Sequence, residues 1–451
     1  MRTEKWWKLE GPSIKVEPGV DGTRTRSLIR EDERYLMTST KEPDLRPVSI
    51  VRGEGPFFVD KDGNVFVDFC AGVAVLVLGH NHPEVKNAII EQAESFAYYE
   101  AQDFYFDLQV QAAKRLVEAS PGRDQKVFFS NSGTESVEAA IKIAFRSRPL
   151  RRVGMAFMGG FHGRTLGALT HTASKTVHKK FYPTIPDIIH LPYPYCYRCP
   201  YRLNPDDCGT HCVDIIDEVY FESLADPSTV NYIIAEPIQG EGGYIVPPDE
   251  FFPRLHRLCD RHGILLIDDE IQSGMGRTGR MFACEHWGLE PDIICLAKGI
   301  AGGIPLGATI IPSRLDLEPG AHSNTFGGNP IALNVMLRVF DVIEREGLCG
   351  NAERVGALIL RRLEEMKERY EIIGDVRGKG LMIGVEIVKD KRSKEYGREE
   401  RDRILVEMLR RGLVALGCGR SVIRFCPPLI ITEEIADGAM DIFEAALKSL
   451  R

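Results

Sequence analysis

The stretch Gly263–Ile304 reads GILLIDDEIQSGMGRTGRMFACEHWGLEPDIICLAKGIAGGI. Its first apolar run, Ile264 to Ile267, ends in Asp268, Asp269 and Glu270. A short, continuous apolar run bounded by turn residues reads as a strand buried on both faces, as in a parallel sheet. Open α/β sheets gather their ligands at the C-terminal ends of the strands, so these carboxylates stand where a ligand would be held. The second run, Ile293 to Ala297, ends in Lys298, with Gly299, Gly302 and Gly303 behind it. The end of a buried strand, among small residues, is an unusual place for a solvated cation.

Working outward, the same strand-then-loop pattern recurs. Val127 to Phe129 is a strand, Ser130–Thr134 a hydroxyl- and Gly-containing loop, and Glu135 to Phe145 a helix with Ala139, Ala140, Ile143 and Ala144 apolar. Free N–H groups and the positive end of the helix dipole suit such a loop to a phosphate, though the same pattern also serves as an ordinary helix N-cap. Met155 to Met158 leads into the loop Gly159–Thr165, which carries FHGRT. Tyr232 to Ala235 ends at Glu236 and Pro237 and is followed by QGEGG, Gln239 to Gly243. Strands alternating with helices in this way predict an α/β fold with a mostly parallel sheet.

Taken together, DDEIQSG with GRTG, LAKGIAGGIPLGA, FHGRT and EPIQGEGG resemble the class III, or ω-aminotransferase-like, group of pyridoxal-phosphate enzymes. The resemblance spans nearly the whole chain and implies the fold type I architecture. It implies a large domain at 95–330, a smaller α+β domain at 331–451, and an N-terminal segment, 1–94, packed with the small one. It further implies that Lys298 holds the cofactor as a Schiff base and that Asp269 pairs with the pyridinium nitrogen. A lysine forms an imine only as the neutral amine, and a carboxylate beside the ring nitrogen keeps that ring electron-withdrawing. Ser132, Gly133 and Thr134 match the phosphate cradle. Phe161 and Ile271 match the residues against the ring faces, and Gln272 the one near the ring oxygen. Thr325, in SNTFGGNP, matches a hydroxyl donated to the phosphate of the neighbouring subunit, which implies a homodimer, with a tetramer left open.

The same resemblance assigns substrate contacts to Arg164, Glu241 and Arg424. Arg binds a carboxylate bidentately, and a Glu beside it can mask that charge when the substrate brings none. The activity implied is amino transfer from an ω-amino acid of the 4-aminobutyrate or ornithine type to a 2-oxo acid such as 2-oxoglutarate. Amino-acid racemisation uses the same lysine and aspartate and stands as the alternative.

Composition sets the outer limits. The chain has 451 residues, 43% hydrophobic and 27% charged, with a formal net charge of −8. That balance describes an ordinary globular protein and does not point to nucleic acid as a partner. No apolar stretch approaches the length of a membrane span, and the start MRTEKWWKLEGPSIKVEPG lacks the apolar core of a signal peptide, so a cytoplasmic enzyme is expected. Trp6 and Trp7 are expected either to dock on a partner subunit or to lie in a loosely packed arm. Phe57 to Val59 and Val65 to Val67 flank Asp62-Gly63-Asn64 as a hairpin. GHNHP, Gly79 to Pro83, reads as a capped turn that, by the resemblance, lies near the active site.

One segment departs from the family pattern. Cys196, Cys199, Cys208 and Cys212 are spaced C-x2-C-x8-C-x3-C within the Pro- and Tyr-rich loop 192–212. Four thiolates in pairs suit a structural zinc or an iron–sulfur centre; two disulfides or four free thiols fit the spacing as well.

Overall fold

A computed structural model describes residues 5–37, 41–101 and 103–450 of the chain. The chain divides into two compact units, Glu84–Glu344 and a second built from Met1–Pro83 with Arg345–Arg451.

The first unit is organised on a seven-stranded sheet. In spatial order its strands are Gln125–Ser130, Gly307–Pro312, Ile293–Leu296, Leu265–Asp269, Val230–Ala235, Val153–Phe157 and Ile188–Leu191. Four successive pairings, from Ile293–Leu296 through Ile188–Leu191, are parallel, and Gly307–Pro312 runs antiparallel to both its neighbours. The central strands are fully buried, as their unbroken apolar runs require. One face is covered by the helix Gly133–Ser147, whose Val137, Ala140, Ile141 and Ala144 pack with Tyr232, Ile234, Leu265, Ile267, Ile293 and Cys295. Each large apolar side chain in this layer contributes about 1.5–3 kcal/mol by leaving water. All strands of the parallel block deliver their C-terminal ends, and hence Asp269 and Lys298, to one edge.

The second unit holds two four-stranded sheets. One joins Arg52–Glu54, Phe57–Val59 and Val65–Asp68 with the parallel strand Leu413–Val414. The other is antiparallel, Ile373–Lys379, Met382–Ile387, Val422–Phe425 and Leu416–Cys418. The hairpin at Asp62-Gly63-Asn64 forms as expected, with Asp60 Oδ1 accepting from the Asp62 and Asn64 amides at 2.9 and 2.8 Å. The tryptophans correct the expectation of a loosely packed arm. Trp7 is buried against the Gly55 backbone, and Trp6 meets the His82 ring edge-on at 5.2 Å, all within this unit. GHNHP is more than a capped turn. His80 Nε2 lies 2.8 Å from Asp68 Oδ2, while Asp68 Oδ1 accepts from the amides of Cys70 and Ala71 at 2.7 and 2.9 Å. This clamp precedes four consecutive residues at positive φ, Ala71 (47°), Gly72 (59°), Val73 (67°) and Ala74 (61°). A β-branched residue there is strained, and the hydrogen bonds of Asp68 hold the turn in place.

No helix among the described residues is long and apolar enough to cross a membrane.

The long helix Leu348–Arg369 approaches the turn at Gly380 backbone to backbone through Gly356, where a Cβ would overlap the Gly380 carbonyl oxygen. Alanine in a helix interior is normally worth about 1 kcal/mol over glycine. Here overpacking costs about 1–3 kcal/mol and outweighs that gain. Gly356→Ala should therefore lower the midpoint of thermal unfolding; an unchanged or raised midpoint would show that the turn simply moves aside.

Candidate active site

Successive residues of a strand face opposite sides, so Asp268 and Glu270 point one way and Asp269 the other. The three carboxylates accordingly have different surroundings. Asp269, 3% exposed, receives a hydrogen bond from the Ile271 amide at 3.1 Å on Oδ1, and its Oδ2 lies 2.7 Å from His162 Nδ1. Burial pushes the His162 imidazole down, but the hydrogen bond and charge of Asp269, with Glu236 adding to them, outweigh it and hold the group above its ordinary value. The Glu236 carboxyl is raised to about 7, first by burial and then by the charge of Asp269, against the opposing pull of His162. Its two oxygens accept from the Phe161 and Gly240 amides, each at 2.8 Å. Glu236 thus ties the FHGRT loop and the QGEGG turn to the same strand end.

Asp268 and Glu270 face the core. Burial, followed by the charge of Glu270, raises Asp268 well above the carboxylate range, and burial raises Glu270 to about 7. Glu270 takes hydrogen bonds from the Ser273 hydroxyl at 2.6 Å and the Cys284 amide at 2.8 Å. Of the three, Asp269 is the one set against an imidazole.

Lys298 follows the strand Ile293–Leu296, which pairs in parallel with Leu265–Asp269 in a register that sets Asp269 opposite Cys295. It is half-buried and begins the short helix Lys298–Ala301 at φ 42°. A positive φ outside glycine costs about 1–3 kcal/mol and collects where function holds a side chain in place.

The helix Gly133–Ser147 opens as its sequence suggests. Ser132 is the N-cap, its Oγ accepting from the Glu135 amide at 3.3 Å, and Glu135 reaches back to the Asn131 amide at 2.6 Å. Two glycines let the chain close around this terminus. A Cβ at Gly133 would lie 2.9 Å from Ile271 Cδ1, and one at Gly163 would overlap the Thr134 hydroxyl. Thr134 and Thr165 share a hydroxyl contact of 2.7 Å. These neighbours bring Ser132, Gly133, Thr134 and Ile271 to one place. Gln272 is engaged from the other side, with the Tyr244 hydroxyl donating to its Oε1 at 2.8 Å.

Phe161 is half-buried, with the Arg164 guanidinium 5.4 Å from its ring centroid and the His178 ring edge-on at 5.8 Å. Glu241 forms an ion pair with Lys175 at 2.6 Å, a partner the resemblance does not supply. Arg424 is buried in the strand Val422–Phe425 of the other unit. Thr325 is exposed, its carbonyl accepting from the Tyr98 hydroxyl at 2.7 Å beside the exposed Phe326.

The four loop cysteines line one small cavity together with Tyr201, and none is bonded to another in this structure. Burial raises the Cys212 thiol to about 12, with Cys196, Cys208 and Cys199 adding to the rise. A tetrahedral zinc site needs its sulfurs within roughly 4 Å of one another. Among the described residues, the group whose ligand atoms all lie within 4.8 Å is Asp268, Glu270 and Cys284, and the loop cysteines are not part of it. The loop gathers the four cysteines around one cavity.

The residues suit pyridoxal phosphate. The glycine-lined helix terminus fits the phosphate, the Asp269–His162 pair a ring nitrogen, Phe161 the ring face and Lys298 the aldehyde carbon. Sequence reasoning had no role for Lys175, His178 or Tyr244. The first two follow FHGRT without a motif of their own, and Tyr244 looks like part of an apolar run.

Known proteins resemble this chain along most of its length. The sequence profile described as aminotransferase class-III matches residues 38–447. An acetylornithine aminotransferase of Methanopyrus kandleri is 42% identical, over 89% of this chain and 95% of its own. An alanine/serine racemase of Pyrococcus horikoshii is 39% identical, over 98% of this chain and 93% of its own. Among solved structures, an amine transaminase from an uncultivated Pseudomonas species in its PLP-bound form superposes with a TM-score of 0.85 at 35% identity, covering 92% of this chain and 97% of its own. The chain belongs to the class III aminotransferases, a family of pyridoxal-phosphate-dependent enzymes.

Proposed function

We propose that the chain transfers an amino group from an ω-amino acid, of the 4-aminobutyrate or ornithine type, to a 2-oxo acid such as 2-oxoglutarate, in two half-reactions at a single site. The observation that carries this reading is the buried Asp269–His162 pair at the strand-end edge from which Lys298 also emerges. Pyridoxal phosphate, when bound, supplies an electron sink at the amine-bearing carbon of the substrate.

The chain's own residues do the rest. Ser132, Gly133 and Thr134 hold the phosphate at the terminus of the helix Gly133–Ser147. Phe161 and Ile271 would lie against the ring, and Gln272, oriented by Tyr244, would hold its oxygen. Asp269, hydrogen-bonded to His162, would stabilise a proton on the ring nitrogen. Lys298 anchors the cofactor. Its Nζ, when free, would move a proton at the amine-bearing carbon of the substrate. Arg164 and Arg424 receive substrate carboxylates, with Glu241 as the counter-charge. Thr325 serves the phosphate of a second copy in a homodimer. The exposed rings of Tyr98, Tyr99, Phe104 and Phe326 support such an interface.

A second reading is amino-acid racemisation, favoured by the likeness to the Pyrococcus racemase along 98% of the chain. It calls on the same Lys298 and Asp269 and needs no 2-oxo acid. The two readings part in a single-turnover experiment on the cofactor-loaded enzyme without a 2-oxo acid. Adding 4-aminobutyrate or ornithine should bleach the visible band and leave a stoichiometric amount of the donor's aldehyde. Retention of the band, with loss of optical rotation in alanine or leucine, establishes racemisation instead.

The Asp269–His162 pair can be examined without cofactor. The folded imidazole holds its proton more tightly than a free one. The pair's stabilisation is therefore complete below the ordinary histidine value of about 6.5 and fades as pH rises through the raised value. His162→Gln should cost the cofactor-free protein more thermal stability at pH 6 than at pH 9. An equal cost at both values would show that the histidine is neutral and merely packed.

A further inference from the structure

Behind the phosphate residues runs a chain of hydrogen bonds whose direction is set by its far end. Thr134 and Glu138 stand four residues apart on the helix Gly133–Ser147 and so share a face, and Thr165 bridges them. The Thr165 hydroxyl donates to Glu138 Oε1 at 2.5 Å, and the Thr134 and Thr165 hydroxyl oxygens are 2.7 Å apart. A hydroxyl has one proton and two lone pairs, whereas a carboxylate has lone pairs alone. Thr165 spends its proton on Glu138, so between the threonines Thr134 donates and Thr165 accepts. The Thr165 amide also points at Thr134 Oγ1, at 3.4 Å, and takes up one of its lone pairs. Thr134 is left with one lone pair and no proton to give.

Glu138 is firmly placed for this task. Its Oε1 also accepts from the Ala168 amide at 2.9 Å, and a Cβ at Gly167 would overlap its Oε2. The other titratable side chains of the two helices and their loop are turned elsewhere. Glu135 takes the Asn131 amide at 2.6 Å, Lys142 meets His322 Nδ1 at 2.8 Å, and Arg164 lies over the Phe161 ring at 5.4 Å. His171 faces the Tyr232 hydroxyl at 2.7 Å, and burial lowers its imidazole to about 3, so it carries no charge. Glu138 is the charge that sits on the hydroxyl chain.

We propose that Glu138 and Thr165 are positioning residues that turn the Thr134 hydroxyl proton away from the cofactor phosphate, so that this site favours a phosphate bearing a proton of its own. This rests on the reading of Ser132, Gly133 and Thr134 as the phosphate residues and deepens it by naming the charge state they take. The amides of the helix terminus attract the anion in either state. At Thr134 a dianion meets lone pairs with lone pairs, whereas a monoanion donates its proton to the hydroxyl oxygen. No covalent bond is made or broken.

The test is a pH titration of the cofactor-loaded enzyme by phosphorus magnetic resonance, on wild type, Thr165→Val and Thr165→Ser. A phosphate monoester ordinarily loses its last proton at about pH 6. In wild type the midpoint should lie above that value. Valine has nearly the shape of threonine but accepts nothing, so it frees the Thr134 proton for the phosphate. Its midpoint should fall by about one pH unit, the tenfold effect of one charge-assisted hydrogen bond. Serine keeps the chain and should keep the wild-type midpoint. At pH 8 the valine variant should also bind pyridoxal phosphate about tenfold more tightly, while pyridoxal, which lacks the phosphate, binds to all three alike. A wild-type midpoint at or below pH 6 overturns the proposal, as does an unmoved valine variant or a serine variant that shifts with it. A chain that takes up no pyridoxal phosphate refutes the cofactor reading itself. One that holds it without transferring an amino group refutes the activity and leaves the hydroxyl chain to the titration.

Discussion

Asp269 is removed from water at the end of a fully buried strand, and an unpaired carboxylate there would cost several kcal/mol or simply take up a proton. His162 meets that demand at 2.7 Å. Much of the surrounding structure follows from keeping those two groups together. The histidine sits on the FHGRT loop, and that loop is tied by the Phe161 amide to Glu236, which also takes the Gly240 amide. Glu236 takes up part of the excess negative charge by holding its own proton up to about pH 7. One pairing thus fixes the positions of Phe161 and of the turn that carries Glu241.

Both units hold strained backbone, and two of these places are Lys298 in one and Ala71–Ala74 in the other. Lys298 enters its helix at φ 42°, and Ala71–Ala74 forms a left-handed turn braced by Asp68. Neither conformation is what its residues prefer. Lys298 is braced by the burial of Ala297, Gly299 and Ile300 around it, and the turn by a carboxylate that accepts two successive amides. In each case a well-formed neighbourhood overrides local preference, which is the usual condition for strain to persist.

The parallel block of the sheet was legible because buried strands write themselves as apolar runs that stop at charged or glycine-rich loops, as Leu265–Asp269 and Ile293–Leu296 do. The helix terminus at Ser132 was legible for the same reason, a capping pattern readable over four residues. Pairings across long separations were not. His162 and Asp269 are 107 residues apart, Lys175 and Glu241 are 66 apart, and nothing local marks either pair. The left-handed turn was hidden because Val73 is a residue that resists it. The four cysteines line one cavity, but their spacing carries no information on how closely the sulfurs converge.

The account stands or falls on Lys298 as the residue that holds the cofactor. Borohydride reduction of the cofactor-loaded enzyme, followed by proteolysis and mass spectrometry, fixes the cofactor to the lysine that carries it. The account predicts a single modified peptide containing Lys298. Modification of a different lysine, or none in an enzyme that retains its visible band, would contradict it.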